Sequence, residues 1–182
     1  MPTQGKQFSS ADALDLLRAD HDRVRDLFRA FEQLKGSVED DERKSELVDE
    51  ICYELTLHTM IEEEIFYPAV RAAIDDNALM DEADIEHAGA RELIGQLEVM
   101  YPGDDHFDAT VTVLGEEVTH HIEKEESDMF AAARHSGIDL DALGEQLAAR
   151  KEELDDDLSA PPPTRDAMAP RDGARRPPRA PD

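Results

Sequence analysis

His58-Thr-Met-Ile-Glu62-Glu-Glu-Ile-Phe66-Tyr67-Pro68 and His121-Ile-Glu-Lys-Glu125-Glu-Ser-Asp-Met-Phe130-Ala131 follow one pattern. Each has a histidine, a glutamate four residues on, a second glutamate, and an aromatic nine residues after the histidine. Residues i and i+4 of a helix lie one above the other on a single face. Each stretch therefore presents an imidazole and a carboxylate side by side. The surrounding apolar residues keep the same period. Leu47, Ile51, Leu55, His58, Glu62, Ile65 and Ala69 form one seam. Phe107, Val111, Leu114, Val118, His121 and Glu125 form another, continued by Asp128 or, one step over, by Met129. Steps of three and four mark helices that bury one stripe against their neighbours.

Working outward, the same alternation recurs in two more segments. Ser9 and Ser10, followed by Ala11-Asp12-Ala13, predict a capped helix start. Its seam runs Leu14, Leu17, His21, Val24, Phe28 and Phe31, and Gly36 ends it. Asp40-Asp41-Glu42 opens the helix of the first quoted stretch, with acids where the helix dipole favours them. Pro68 removes a backbone donor and predicts a kink or an early end. A third helix carries Met80, Ala83, His87, Ala90, Ile94, Leu97 and Tyr101, and stops at Pro102-Gly103. The fourth ends near Ser136-Gly137. A weaker helix with Leu140, Leu143, Leu147 and Leu154 follows, and is expected to lie against the others.

The fold predicted is all-α: an up-down-up-down four-helix bundle over residues 9–136, with an additional C-terminal helix over 137–158. Residues 1–8 are expected to be a disordered N-terminus. Residues 159–182, rich in Pro, Arg and Ala, are expected to be a disordered tail.

An antiparallel bundle places the inward polar residues at one level. His21 comes about eleven residues into its helix, and His87 about ten into the third. Glu62 and His58 lie roughly twelve to sixteen residues before the second helix ends, and Glu125 and His121 roughly eight to twelve before the fourth. At about 1.5 Å per residue, all six fall within a few ångströms of one layer. One seam histidine is ordinarily a hydrogen-bonded core residue. Two ionised carboxylates in an apolar layer repel each other and are costly to desolvate. A pair of cations removes both costs. Four imidazoles and two carboxylates without a thiolate suit iron or manganese ahead of zinc. The natural division is two histidines to each metal, with Glu62 and Glu125 each bridging both.

Composition narrows the partners. The 182 residues include 45 acidic and 19 basic ones, for a net charge of -26. Such a surface opposes nucleic acid and anionic membranes. No run of about 18 apolar residues and no secretory leader is visible. Cys52 is the one cysteine, so no internal disulfide can form and a cytoplasmic location is expected. A protein partner is not specified.

As a set, His21, His58-x-x-x-Glu62 with Phe66-Tyr67-Pro68, His87 and His121-x-x-x-Glu125 resemble the hemerythrin-like, or HHE cation-binding, family over roughly residues 10–135. The resemblance implies a four-helix bundle around a carboxylate-bridged, oxo- or hydroxo-bridged pair of iron ions, with manganese or zinc as lesser alternatives. It implies His21, His58, Glu62, His87, His121 and Glu125 as the metal ligands. Oxygen-carrying members have a second histidine four residues after the first in the third helix, where this chain has Arg91. They also reach an aspartate by a five-residue step in the fourth helix, where this chain has Glu125 after four. The site thus resembles the four-histidine bacterial variant. The function expected is binding or sensing of O2, NO or iron. The alternatives are an enzyme that decomposes peroxide or a related oxidant, and an interaction module with a structural metal. Glu86 and Tyr101 are poor substitutes for the missing histidine, since neither shares its position on the helix.

Overall fold

The computed structural model describes residues 12–74 and 76–159, and among these there are helices and no strands. Helix α1, Ala13–Leu34, starts on Asp12, whose carboxylate accepts the amide of Asp15 at 2.9 Å. The cap expected at Ser9-Ser10 lies outside the described residues. Aspartate is as good an acceptor for the exposed first-turn amides, so the cap falls where the sequence reading placed a first-turn acid. Gly36 follows the helix with φ of 78°, a left-handed conformation suited to a residue without Cβ.

Helix α2 is composite. An α-helical part, Asp41–Ile61, passes through a π-helical turn, Glu62–Phe66, into a second α-helical part, Tyr67–Ala73. Helix α3 spans Asn77–Leu97, capped by Asp76 on the amide of Leu79 at 3.1 Å. Helix α4 repeats the plan of α2, with Phe107–Lys124, a π turn at Glu125–Met129, and Phe130–His135. Helix α5 spans Leu140–Ser159.

The two π turns correct the seams read from the sequence. In each, an amide bonds to the carbonyl five residues back: Tyr67 to Glu62, and Phe130 to Glu125. One extra residue per turn moves the buried stripe one step along. Phe66, Tyr67 and Val70 are buried, while Ile65 and Ala69 are only partly so. Met129 is buried and Asp128 is exposed for the same reason. Pro68 explains the first turn, because its ring would press on the Glu64 carbonyl in a regular helix. Widening the turn relieves that clash, so α2 runs on to Ala73 instead of stopping at the proline. The second turn has no proline, yet occupies the equivalent place.

Two further seam positions differ. Leu27 is buried in α1, and Phe28 lies partly exposed across α4. A Cβ on Gly115 would stand 3.0 Å from the Phe28 ring, so the glycine permits that close approach. Tyr101 lies past the end of α3 and is 71% exposed.

Helix α1 packs on α2, α4 and α5, and α3 packs on α4. The apolar core falls into two clusters. One gathers Leu14, Leu17, Ile61, Phe66, Met80 and Phe130, together with Leu143, Leu147 and Leu154 from α5. The other gathers Val24, Phe31, Ile51, Leu55, Ile94 and Leu114. His21 lies along α1 between Leu17 of the first cluster and Val24 of the second, and the other polar residues of the layer are buried with it. No described helix is long and apolar enough to cross a membrane. The N-terminal segment 1–8 and the tail from residue 160 onward lie outside the described residues.

Candidate metal centre

All six residues of the polar layer are buried, Glu62 fully. Their donor atoms form two groups, each within 4.8 Å of one another. The first comprises His21, His58, Glu62 and Glu125, and the second comprises Glu62, His87 and His121.

The spacing within each group is that of ligands around one ion. Donors about 2.1 Å from a common centre, at angles of about 90–110°, stand roughly 3.0–3.4 Å apart. In the first group His21 Nε2 is 3.1 Å from His58 Nε2 and 3.1 Å from Glu125 Oε2. Glu62 Oε1 is 3.1 Å from His58 Nε2. In the second, His87 Nε2 is 3.1 Å from His121 Nε2 and 3.3 Å from Glu62 Oε2. Glu62 therefore turns one oxygen to each group. Glu125 falls in the first alone, whereas the sequence reading had both glutamates bridging.

When the four rings are neutral with their protons on Nδ1, these contacts bring lone pairs together. Two neutral imidazole Nε2 atoms cannot both donate to each other, and ionised carboxylates only accept. Glu62 Oε1 and both oxygens of Glu125 are buried without a hydrogen-bond partner. Orphaned acceptors converging at ligand spacing fit a metal cation, which supplies no lone pair and neutralises the carboxylates.

Tyr67 was not among the candidates. Its hydroxyl is 3.0 Å from His87 Nε2, 3.3 Å from His121 Nε2 and 3.5 Å from Glu62 Oε2. It takes the fourth corner of the second group. Phe130 holds the equivalent place on α4 and stacks on His21, with centroids 5.8 Å apart. The π turns cause both placements by setting the fifth residue after each glutamate above it. The signal in the sequence was the aromatic nine residues after each histidine.

The outer side of each imidazole meets a carboxylate. His21 Nδ1 is 2.9 Å from Glu126 Oε1, and His87 Nδ1 is 3.0 Å from Glu63 Oε1. His121 Nδ1 is 2.8 Å from Glu86 Oε2, and His58 Nδ1 is 3.6 Å from Asp20 Oδ2. A carboxylate accepting the Nδ1 proton leaves the Nε2 lone pair free for a metal. Arg25 pairs with Glu126 at 3.0 Å, and Arg91 pairs with Glu63. Arg91 thus turns outward, away from the ligand position it takes in the sequence pattern. Glu86 acts on His121 and not as a substitute ligand. These partners are legible in hindsight as a repeat, Asp20-His21-x-x-x-Arg25 and Glu86-His87-x-x-x-Arg91.

Burial and neighbouring charge set the proton affinities. Burial pushes His21 down to about 4, and His58⁺ beside it acts in the same direction. Burial would lower His58 as well, but the Glu62 charge and the Asp20 contact outweigh it and raise it to about 10. For Glu62 burial acts upward, yet the His58 and His87 contacts hold it well below the usual range. Burial and the Glu62 charge push Glu125 well above its range. The two carboxylates are thus pushed apart in proton affinity.

A cavity of ≈ 20 Å³ lies against all four histidines, walled by Val24, Leu55, Ala90, Val118 and Ile122. That volume holds about one or two water-sized bodies. Cys52 is half-buried beside the second apolar cluster, and burial pushes its thiol up to about 12.

Residues 12–133 match the model of the Hemerythrin HHE cation binding domain family. An uncharacterized protein of Mycobacterium tuberculosis is 31% identical over 153 residues, covering 79% of this chain and 87% of that protein. A DNA nickase of Nostoc sp. is 31% identical over 134 residues, which is 74% of this chain but only 37% of the nickase. Among solved structures, a hemerythrin HHE cation-binding domain-containing protein of Mycobacterium kansasii aligns with a TM-score of 0.67 at 27% identity. That alignment covers 79% of this chain and 87% of the other.

Proposed function

This chain belongs to the hemerythrin HHE cation-binding domain family, and we propose that it is a non-haem di-iron protein whose metal pair binds O2, NO or peroxide. The observation that carries the proposal is the pair of donor groups sharing Glu62, each at the spacing of ligands around one ion. In this reading the four long segments form an up-down-up-down bundle in the cytoplasm, and His21, His58, Glu62, His87, His121 and Glu125 hold the metals. Nitrogen and oxygen donors without thiolate favour iron, with manganese next. Bound iron would supply a Lewis-acidic, redox-active centre.

The chain's own residues do the rest. Glu62, which turns one oxygen to each donor group, would be held in common by the two metals. The outer carboxylates fix the imidazole planes and tautomers. The apolar side chains of the cavity limit contact with bulk water, and a volume near 20 Å³ suits a diatomic molecule or peroxide. Nickase activity is not carried over, since the match covers a minor part of that protein and a net charge of -26 opposes a phosphate backbone.

Tyr67 favours a second reading, turnover of peroxide. Its hydroxyl is a proton donor inside the donor group, and burial together with the Glu62 and Glu125 charges keeps that proton on well above the usual tyrosine range. Purified protein loaded with iron should show a visible spectrum that changes reversibly with O2 or NO. If peroxide is turned over, Tyr67→Phe should lower O2 evolution about 100-fold, the lower range for loss of a positioned general acid. Iron content below one per chain, with stability indifferent to chelator, would overturn both readings.

A further inference from the structure

Each of the four imidazoles has an outer carboxylate, and each carboxylate has its own cation. Glu126 lies between His21 and Arg25, and Glu63 between His87 and Arg91. Glu86 lies between His121 and Lys124. All of these groups belong to α1 through α4. The fourth set differs in two ways. Asp20, which faces His58, takes its cation from Lys151 on α5. Helix α5 lies wholly beyond residues 12–133, the part that matches the family. And the Asp20–His58 contact is 3.6 Å, against 2.8–3.0 Å at the other three. Aspartate is one methylene shorter than the three glutamates, so it reaches less far.

The consequence concerns one atom. For His58 to offer its Nε2 lone pair inward, the ring proton must sit on Nδ1, and that proton needs an acceptor. His58 Nδ1 and Asp20 Oδ2 are both buried, and neither has a hydrogen-bond partner. Among the described residues, Asp20 is the carboxylate that faces His58 Nδ1. Its other oxygen is tied to Lys151. Without that ammonium, a carboxylate at the edge of the core is better solvated by turning out to water.

We propose that Lys151 is a positioning residue of the metal centre. Docking of α5 holds Asp20 against His58, and loss of that contact loosens the first metal position while sparing the second. Helix α5 is then a working part of the centre and not an appendage to the bundle. Its apolar face, Leu143, Leu147 and Leu154, supplies the docking, and Lys151 carries the effect to the ligand. This inference rests on the reading of the six layer residues as metal ligands.

The test uses the full chain loaded anaerobically with ferrous iron, followed by timed removal with a ferrous chelator. In Lys151→Gln, one of the two irons should leave about 10–100-fold faster, the usual cost of losing an outer-shell partner. The other should leave at the wild-type rate. Lys151→Arg, which keeps the charge and reach, should restore slow release. Arg150→Gln is the control for docking, because it removes another tie from α5, the contacts of Arg150 with Glu64 at 2.7 and 3.3 Å. It should leave both release rates unchanged. Equal acceleration of both irons in Lys151→Gln, or the same acceleration in Arg150→Gln, would overturn the assignment to Lys151. A wild-type chain that takes up no iron would overturn the underlying ligand reading as well.

Discussion

Glu62→Ala is expected to abolish metal binding at both positions, while Glu125→Ala should retain about one ion per chain. The difference follows from geometry. Glu62 presents Oε1 to His58 at 3.1 Å and Oε2 to His87 at 3.3 Å, so its removal takes a ligand from each group. Glu125 contacts His21 and belongs to the first group only. The thermal readout should be large. A ligand at about 1,000 times its Kd stabilises the folded chain by roughly 4 kcal/mol. For a chain of this size each kcal/mol moves Tm by about 2–4 °C. Wild-type protein should therefore gain roughly 10 °C on loading. Glu62→Ala should gain nothing, and Glu125→Ala an intermediate amount. Metal analysis beside calorimetry checks both. Complete loss of metal in Glu125→Ala would show that this carboxylate also bridges once the ions are in place.

The helices and the polar layer were legible because both depend on period. A seam of threes and fours places His21, His87, His121 and Glu125 inward whatever the details of packing, and they are buried as that seam requires. Local backbone geometry was less legible. A π turn inserts one residue without a fixed sequence mark, so Ile65 was read inward where Phe66 is, and the choice between Asp128 and Met129 stayed open until the structure placed Met129 inward. Pro68 hinted at the first turn; nothing comparable marks the second. Tyr67 was missed for the same reason. It becomes a neighbour of Glu62 only when the turn is five residues wide. The outer carboxylates were missed because Glu63, Glu86 and Glu126 lie off the seam; Glu86 was weighed only as a ligand, and Glu63 and Glu126 were given no role. Long side chains reach back to a buried neighbour's far edge, which periodicity cannot register. Asp20 and Lys151 were harder still, since they join helices at opposite ends of the described chain.

Metal loading at pH 7 should release protons, and the apparent affinity should rise at least tenfold per pH unit there. The ligands must be deprotonated to bind, so each proton the metal-free site holds contributes a tenfold change per unit. His58, raised to about 10 by the Glu62 charge, holds one such proton throughout the neutral range. Burial and the Glu62 charge push Glu125 above its ordinary range, which acts in the same direction. His21, pushed down to about 4, is already neutral and contributes nothing at pH 7. Burial lowers His121 in the same direction. The direction is therefore fixed: acid opposes loading and base favours it. As the pH passes about 10, His58 no longer carries its proton and the slope should fall by one. Titration with ferrous iron in weak buffer, followed by a pH indicator, counts the protons directly. Repeating the affinity measurement at several pH values gives the slope. A pH-independent affinity would mean that the metal-free site holds no protons, and that the six donors do not carry the charges assigned to them.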